Sequence, residues 1–366
     1  MNVRNLIKTS KIIQSILLFF GTHLIIRILG LTNFPDFWFE KLYPFFSKIL
    51  IFMSAKFPVA IGDLLYAFLI LVGISLLILG IRFLILKKYE KLEKGVYYLI
   101  NFLTLLNVFF HLIWGFNYYK TPIKASYNVE MDSVDELKKM VDFYYEKAAA
   151  LREKVQEDER GVFVMSISED ELKKEILNAS YKLQEKHPEL KFFQEKGANL
   201  KPSVFSTPVS YLGILGYYNP FTSEANYNSK MPDSKLVFTK FHETAHQWGF
   251  ASEAEANFVG FLLGKESQHF DLQYASYFKA MRSILNRILW VEPEYVLDYV
   301  ECKYTEGMKR DRLYELEVNA QYGGAAEDAF SLMNEAFLRL NNQEGLESYG
   351  KFIELIVGYN RKYGLN

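Results

Sequence analysis

Two histidines and a glutamate within residues 241–249 have the types and spacing of a metal-dependent hydrolytic site. His242 and His246 stand four residues apart, so on a helix both imidazoles project from one face and can bind one tetrahedral Zn²⁺. Glu243 lies between them, where its carboxylate can take a proton from a water molecule at the open metal position and return it to a leaving amine. The same HExxH pattern also arises by chance, so its surroundings decide the interpretation.

A third protein ligand is expected shortly after the motif helix. Gly249 can end that helix in a left-handed turn, and Ser252 can cap the next helix, whose first turn carries Glu253. The Glu253 carboxylate can turn back toward the histidines, or it can serve only as a favourable charge at the helix N-terminus. Asn257, one turn later, could hold a histidine ring by a hydrogen bond. Glu255 forms a Ser-x-x-Glu pattern with Ser252, which favours a capping role over that of the third ligand.

Other polar residues could line the cleft of such a site. Residues 216–228 precede the motif helix and could provide an edge strand that pairs with an extended substrate, with Glu224 and Asn226 in the cleft. A purely structural turn fits this segment equally well. A hydrolase also needs a donor that stabilises the oxyanion, and each candidate for it also fits a place in the core or on the surface. The candidates are Tyr274, Tyr277 and His269.

The first third of the chain is apolar enough to be a membrane anchor. Three stretches reach the length of about 20 residues that a helix needs to cross a bilayer, namely residues 12–31, 64–86 and 96–118. Basic residues cluster before the first stretch and between the second and third, which indicates that these ends are cytoplasmic. The chain after Tyr119 then lies outside the cytoplasm. We therefore expect a multi-pass anchor at 1–119 and an extracytoplasmic domain at 120–366.

The connection between the first two stretches, residues 33–61, is rich in aromatic residues, which suit the headgroup boundary of a bilayer. Its segment 45–53 is too short to span and is expected to lie in the interface, where it could gate substrate access. Beyond the anchor, Ser-x-x-Glu patterns at Ser133 and Ser168 predict helix starts. Residues 202–228 combine Gly, Pro and aromatic residues in a way typical of short strands and turns. The predicted fold is mainly α: a three-helix membrane anchor followed by a mostly helical zincin-like domain with a small β element.

Composition limits the classes of partner and of metal site. The 42 basic and 43 acidic residues nearly cancel, so nothing indicates a nucleic-acid partner. Cys302 is the single cysteine, which excludes an intramolecular disulfide and a cysteine-based zinc site. The expected partners are a peptide or protein substrate and the lipid bilayer.

The order HExxH followed by Glu-x-x-Ala-Asn resembles the gluzincin pattern, of which thermolysin-like peptidases and prenyl-protein endopeptidases are examples. The resemblance implies that Glu253, the first glutamate of the second motif, is the third zinc ligand. Asn257 departs from the aspartate usual at its place, which weakens the expectation that it supports a histidine.

The whole chain also resembles a bacterial multi-span membrane family, the domain of unknown function with the number 3810. The matching stretches are residues 114–119, 216–226, the metal-motif region and, more weakly, 348–350 with Leu355. This resemblance implies a zinc-peptidase-like site in a bacterial cell membrane, and it implies no substrate.

Three functional hypotheses follow. The first is a membrane-anchored zinc hydrolase that acts as a peptidase, with Glu243 as general base. The second is a non-catalytic zinc- or peptide-binding membrane protein, which the intact Glu243 disfavours because a structural site needs no base. The third is a membrane scaffold with an accidental motif, which the spacing of Glu253 and Asn257 disfavours.

Overall fold

The computed structural model describes residues 3–127, 133–190, 198–341 and 351–365. In this part the chain is mainly helical with few strands, and three N-terminal helices are long and apolar enough to cross a membrane. The predicted fold class is therefore confirmed in its helical content, its small β element and its apolar N-terminal helices. The weakly matching residues 348–350 lie outside the described part.

The N-terminal third consists of α1 (Val3–Gly30), α2 (Phe34–Phe37), α3 (Tyr43–Ser54), α4 (Ile61–Ile85) and α5 (Tyr89–Ile113). The candidate spans are α1 from Lys11 onward, α4 and α5, and α5 packs against the other two. Between α1 and α5, Asn101 Nδ2 donates a hydrogen bond to Ser15 Oγ at 2.8 Å. The third span ends at Ile113 instead of residue 118, because the backbone leaves the helical region at Trp114 and continues as a 3₁₀ turn.

The connection between the first two spans folds into short helices. A π-helical turn, Trp38–Leu42, joins α2 to α3. One face of α3 is buried against the rest of the protein through Tyr43, Ser47 and Ser54, whereas its opposite face exposes large apolar side chains. This burial is the reverse of that in a soluble amphipathic helix, in which the apolar face is the one that is covered.

The remaining helices are α6 (Val134–Arg152), α7 (Glu169–Lys186), α8 (Ser206–Ser210), α9 (Asp233–Gln247), α10 (Glu253–Glu266), α11 (Phe270–Leu289), α12 (Pro293–Cys302), α13 (Glu306–Tyr322), α14 (Ala325–Leu340) and α15 (Lys351–Tyr363). Both predicted helix starts are confirmed. The Ser133 side chain accepts a hydrogen bond from the Glu136 N–H, and Ser168 forms a complete capping box with Glu171.

The strands are β1 (Gln156–Glu157), β2 (Phe163–Val164), β3 (Leu200–Pro202), β4 (Gly216–Asn219) and β5 (Glu224–Tyr227). The first two form an antiparallel ribbon. The other three form a sheet in the order β3-β5-β4, in which β5 runs parallel to β3 and antiparallel to β4. In this sheet Gly216 pairs with Tyr227 and Asn219 pairs with Glu224, so β4 is an edge strand.

The centre of the globular part is α10. Its residues from Ala254 to Gly264 are all buried, as expected for a helix that is apolar on every side and packed all round. The neighbours of α10 include α7, α9, α11 and α15. Since α9 also packs on β4 and β5, the helix with the HExxH motif lies between the small sheet and the central helix.

Candidate metal centre

The motif helix α9 begins after Pro232 and ends in a tight turn. Beyond Gln247 the N–H of Phe250 donates to the carbonyl of Ala245 at 3.1 Å, and Gly249 adopts φ +91°. A glycine is required here for two reasons, its left-handed backbone and its surroundings. A Cβ atom at Gly249 would lie 2.8 Å from the rings of both Phe39 and Tyr43. The turn reverses the chain and brings the first turn of α10 back beside the histidines.

Three side chains converge at this point. The Nε2 atoms of His242 and His246 lie 3.0 Å apart, and Glu253 Oε2 lies 3.2 Å from His242 Nε2. Glu253 Oε1 lies 3.7 Å from His246 Nε2. One ligand atom from each residue falls within 4.8 Å of the others, a grouping that could hold a metal ion. Two imidazoles and one carboxylate are also the donor set of a catalytic zinc site with an open fourth position.

A backbone carbonyl orients one of the two imidazoles. His246 Nδ1–H donates to the Phe250 carbonyl at 2.7 Å, which orients the ring so that Nε2 faces the other two groups. Nothing in the sequence pattern indicated this carbonyl, because it is set by the turn geometry. The described residues offer no hydrogen-bond partner to His242 Nδ1. The expectation for Asn257 is corrected here, because its side-chain amide donates instead to the Glu253 carbonyl at 2.9 Å.

Glu243 points into the space between the motif helix and the edge strand. Its side chain is buried, and a Cβ atom at Gly216 would lie 2.7 Å from Glu243 Oε1. Its other oxygen, Oε2, is buried and has no hydrogen-bond partner among the described residues. Burial raises the pKa of Glu243 to about 8, against the opposing effect of His246. A carboxylate in such surroundings favours proton uptake near neutral pH.

Two of the converging groups, His246 and Glu253, shift each other's pKa values. Burial would lower the pKa of His246, but the hydrogen bond and negative charge of Glu253 outweigh it and raise this pKa to about 9. Burial would likewise raise the pKa of Glu253, and the hydrogen bonds from His242 and His246 reverse the effect, so this pKa lies well below its usual range. Glu253 is therefore ionised over the whole physiological range, as a carboxylate ligand must be.

Glu255 does not cap α10, which corrects the expectation for this residue. Ser252 makes no side-chain capping bond. The Glu255 carboxylate instead accepts hydrogen bonds from Lys120 Nζ at 2.7 Å and from the Ile123 N–H at 2.6 Å, in a buried position. It holds the chain that follows the third candidate span, and it is not one of the three converging groups.

Glu224 and Asn226 also differ from expectation. The Glu224 carboxylate accepts hydrogen bonds from the backbone N–H groups of Ile61 at 3.1 Å and Gly62 at 2.6 Å, and from Lys201 Nζ at 2.6 Å. It thus stabilises the N-terminus of α4 and does not line a cleft at the histidines. Asn226, two residues along β5, faces the same side of the sheet and is fully buried.

The three oxyanion candidates lie in other parts of the domain. Tyr274 donates its hydroxyl hydrogen to Asp311 at 2.6 Å, and Tyr277 packs between the rings of Tyr144 and Phe261. His269 caps α11 by accepting a hydrogen bond from the Asp271 N–H. The described contacts of all three lead away from His242, His246 and Glu253, so the structure does not bring them into the site.

Aromatic residues from the N-terminal third of the chain lie beside the candidate site, although the sequence pattern predicted membrane contacts for them. The Trp114 ring lies 6.5 Å from the His246 ring and 4.5 Å from the Tyr218 ring of β4. The Tyr43 hydroxyl donates to the Gln247 carbonyl at 2.7 Å. The Gln247 side chain in turn donates to the Ser223 carbonyl at 2.7 Å, which links the end of α9 to the start of β5. No local pattern distinguished these aromatic residues from those of a headgroup boundary.

Comparison with known protein families gives a match over most of the chain. Residues 38–357 match the model of the family described as "Protein of unknown function (DUF3810)". No curated protein matches the chain. No solved structure matches it either. The matched region begins at the π-helical turn after the first span and includes the converging histidines and Glu253.

Proposed function

Because the chain belongs to the DUF3810 family, whose description assigns no activity, we propose from the site itself that this protein is a membrane-anchored zinc-dependent hydrolase that cleaves peptide bonds. The observation that carries the proposal is the convergence of His242, His246 and Glu253, with the unpartnered Oε2 atom of Glu243 buried nearby. Buried polar atoms normally find partners, so an unpaired carboxylate oxygen beside a metal-competent cluster favours a chemical role over a structural one.

The donor set fits zinc. Neutral imidazole nitrogens and an ionised carboxylate are its usual ligands in hydrolytic sites, and the His246 ring is already oriented through its Nδ1 atom. Zinc bound by these residues would lower the pKa of a water molecule and polarise the scissile carbonyl. Glu243 Oε2 would accept the proton of the attacking water and pass it to the departing amine.

The edge strand β4 would position the substrate. It pairs with β5 on one side, and in the described part of the chain no strand pairs with it on the other. An extended peptide could add to this free edge by main-chain hydrogen bonds. Since Gly216 at the start of β4 lies against Glu243, a peptide bound there would run beside the proposed base.

We further propose that the site lies outside the cytoplasm of a bacterial cell, in a multi-pass membrane protein. The support is the distribution of basic residues: Lys87, Lys88, Lys91 and Lys94 lie between α4 and the first turns of α5, at the end of the spans opposite to the site. Such clusters favour the cytoplasmic side. The proposed partners are a peptide or protein substrate and the bilayer.

Metal analysis of the full-length protein, purified in detergent, tests the first part of the proposal. We expect a stoichiometric amount of zinc in the wild type and a strong loss in Glu253→Ala. The control is Glu301→Ala, which removes an exposed carboxylate of α12 and should leave the zinc content unchanged. Equal zinc in all three proteins would exclude Glu253 as a ligand.

Hydrolysis of a mixed peptide library tests the second part. Wild-type protein should cleave members of the library, and a chelator should stop the cleavage. Zinc retention without cleavage would instead support the second hypothesis, a zinc- or peptide-binding protein that performs no chemistry. Absence of zinc under metal-replete conditions would contradict both.

A further inference from the structure

The ends of two candidate spans, α1 and α5, meet the turn between the proposed zinc ligands through one layer of side chains. We call this group the aromatic layer: Ile26, Trp38, Phe39, Tyr43, Ile113, Trp114, Phe116 and Ala251. Ile26 lies in the last turns of α1, and Ile113 is the last residue of α5. Ala251 lies in the turn between His246 and Glu253. The turn that joins His246 to Glu253 therefore packs in the same cluster as the ends of α1 and α5.

The edge strand β4 reaches the ends of the candidate spans α4 and α5. The Tyr218 ring packs at a tilt against Trp114, the first residue beyond α5, with the ring centres 4.5 Å apart. Asn219 lies against the second residue of α4, since a Cβ atom at Gly62 would clash with the side-chain amide of Asn219. The strand meets Glu243 at Gly216, so three residue steps separate the proposed base from the span ends. At about 3.3 Å per residue this distance is roughly 10 Å.

The helix α3 lies beside these span ends and exposes an apolar face. Phe45, Ile49, Phe52 and Met53 follow one another at the spacing of a single helical face, and all are exposed. The exposed Lys48 and Lys56 flank this face, with Lys56 Nζ 4.0 Å from the centre of the Phe52 ring. An apolar face bordered by lysines and continuous with spanning helices has the composition of a helix lying in the membrane interface.

We infer that the substrate is a polypeptide anchored in the same membrane and that it is cut in the segment next to its own anchor. This inference rests on the proposed function and names its substrate class. With α3 seated at the headgroup boundary, β4 lies alongside the bilayer surface, where the flanking segment of an anchored chain is held. Anchoring restricts such a segment to the layer that β4 occupies and so raises its effective concentration at the site.

The position of α3 is tested without reference to catalysis. A single fluorophore is attached through Phe52→Cys in a Cys302→Ser background, and the protein is reconstituted into vesicles that contain brominated lipids. We expect strong quenching at position 52. The control is the same label at Leu313→Cys on α13, which is 59 % exposed and should be quenched little. Equal, weak quenching at both positions would place α3 away from lipid and overturn the inference.

The substrate class is tested with one peptide library in two forms. One form is free in solution, and the other carries a hydrophobic helix that anchors it in the enzyme's vesicles. We expect at least a tenfold higher rate for the anchored form, with cleavage close to the anchor. Equal rates, or cleavage only far from the anchor, would overturn the inference while leaving the proposed function intact. No cleavage of either form by zinc-loaded protein would contradict the proposed function and, with it, the inference.

Discussion

Two buried clusters of charged side chains in the globular part differ in how completely their hydrogen bonds are satisfied. In the first, Asp311 accepts four hydrogen bonds, two from Arg152 and one each from the Phe163 N–H and the Tyr274 hydroxyl. In the second, the candidate metal centre, Glu243 Oε2 and His242 Nδ1 have no partner among the described residues. A buried network in which every acceptor has a hydrogen bond stabilises the fold. Unpaired polar atoms beside converging side chains instead favour a role in binding or chemistry.

The comparison shows that burial alone does not identify a functional carboxylate. Asp311, Glu255, Glu224 and Glu243 are all buried. The first three each accept hydrogen bonds from donors brought by another part of the chain, and they connect elements that are distant in sequence. Only Glu243 among these four retains an unpartnered oxygen in the described structure. Substitutions in the Asp311 cluster should therefore lower the stability of the protein, whereas substitutions around Glu243 should lower the rate of hydrolysis.

The largest expected effect is that of Glu243→Gln. Because the amide cannot accept a proton, we expect peptide hydrolysis to fall by about 10²- to 10⁴-fold. Zinc content and the unfolding midpoint should stay close to those of the wild type, since the shape of the side chain is kept. Hydrolysis rates and metal content are measured on the same preparations, with Glu301→Gln as the exposed control. Unchanged hydrolysis would remove Glu243 from the mechanism.

Asp311→Ala should have the next largest effect, and it should act on stability. Removing this carboxylate leaves the buried Arg152 without its main partner, which costs about 3–5 kcal/mol. Denaturant unfolding in detergent measures the loss, and zinc per folded chain should not change. The matched control on the same helix is Glu317→Ala, whose exposed carboxylate lies 4.0 Å from Arg160 and whose loss should cost less than about 1 kcal/mol. A similar loss in both variants would contradict a special role for the Asp311 cluster.

Gly216→Ala should have an intermediate effect on catalysis. The added methyl group would meet Glu243 Oε1 and Thr239 Cγ2, each at 2.7 Å, so either the base or β4 must move. A displacement of about 1 Å in a catalytic group can lower turnover by about 10²-fold. Zinc should remain bound, because the three proposed ligands are untouched. Gly73→Ala serves as the control, since a Cβ atom there meets nothing within 4 Å. Equal activity of the two variants would show that contact with β4 does not position Glu243 for catalysis.

Tyr274→Phe should have the smallest effect of the series. It removes one hydrogen bond to the Asp311 carboxylate, which is worth about 1.5–3 kcal/mol in unfolding free energy. Hydrolysis by the folded protein should be unchanged. A fall in turnover without a fall in stability would restore Tyr274 as the donor that stabilises the oxyanion. The Asp311 cluster would then serve chemistry as well as stability.

The predictions that rested on local signals agree well with the structure. The three apolar stretches form helices because about 20 consecutive apolar residues specify a spanning helix by length and composition. The capping box at Ser168 forms because its hydrogen bonds join residues three apart. The HExxH histidines share a face because the helical repeat places them there, and Glu253 follows after a turn too short to carry it far away.

The predictions that failed concern the hydrogen-bond partners of buried carboxylates. Glu255 fits a capping box as well as Ser168 with Glu171 does, yet its carboxylate binds Lys120, which is 135 positions away in the chain. Glu224 fits a cleft residue and instead stabilises the start of α4. In each case the competing donor belongs to a segment that no local pattern connects with the residue.

The sequence by itself therefore determined which groups are available for chemistry and which stretches suit a bilayer. Spacing along a helix and the length of an apolar run are properties of neighbouring residues. The tertiary structure alone decided that Glu243 faces an edge strand, that the Phe250 carbonyl orients His246, and that one aromatic layer joins the turn after His246 to the ends of α1 and α5. These arrangements arise when buried polar groups and apolar surfaces from distant segments compete for the same partners, and that competition is resolved only in the packed chain.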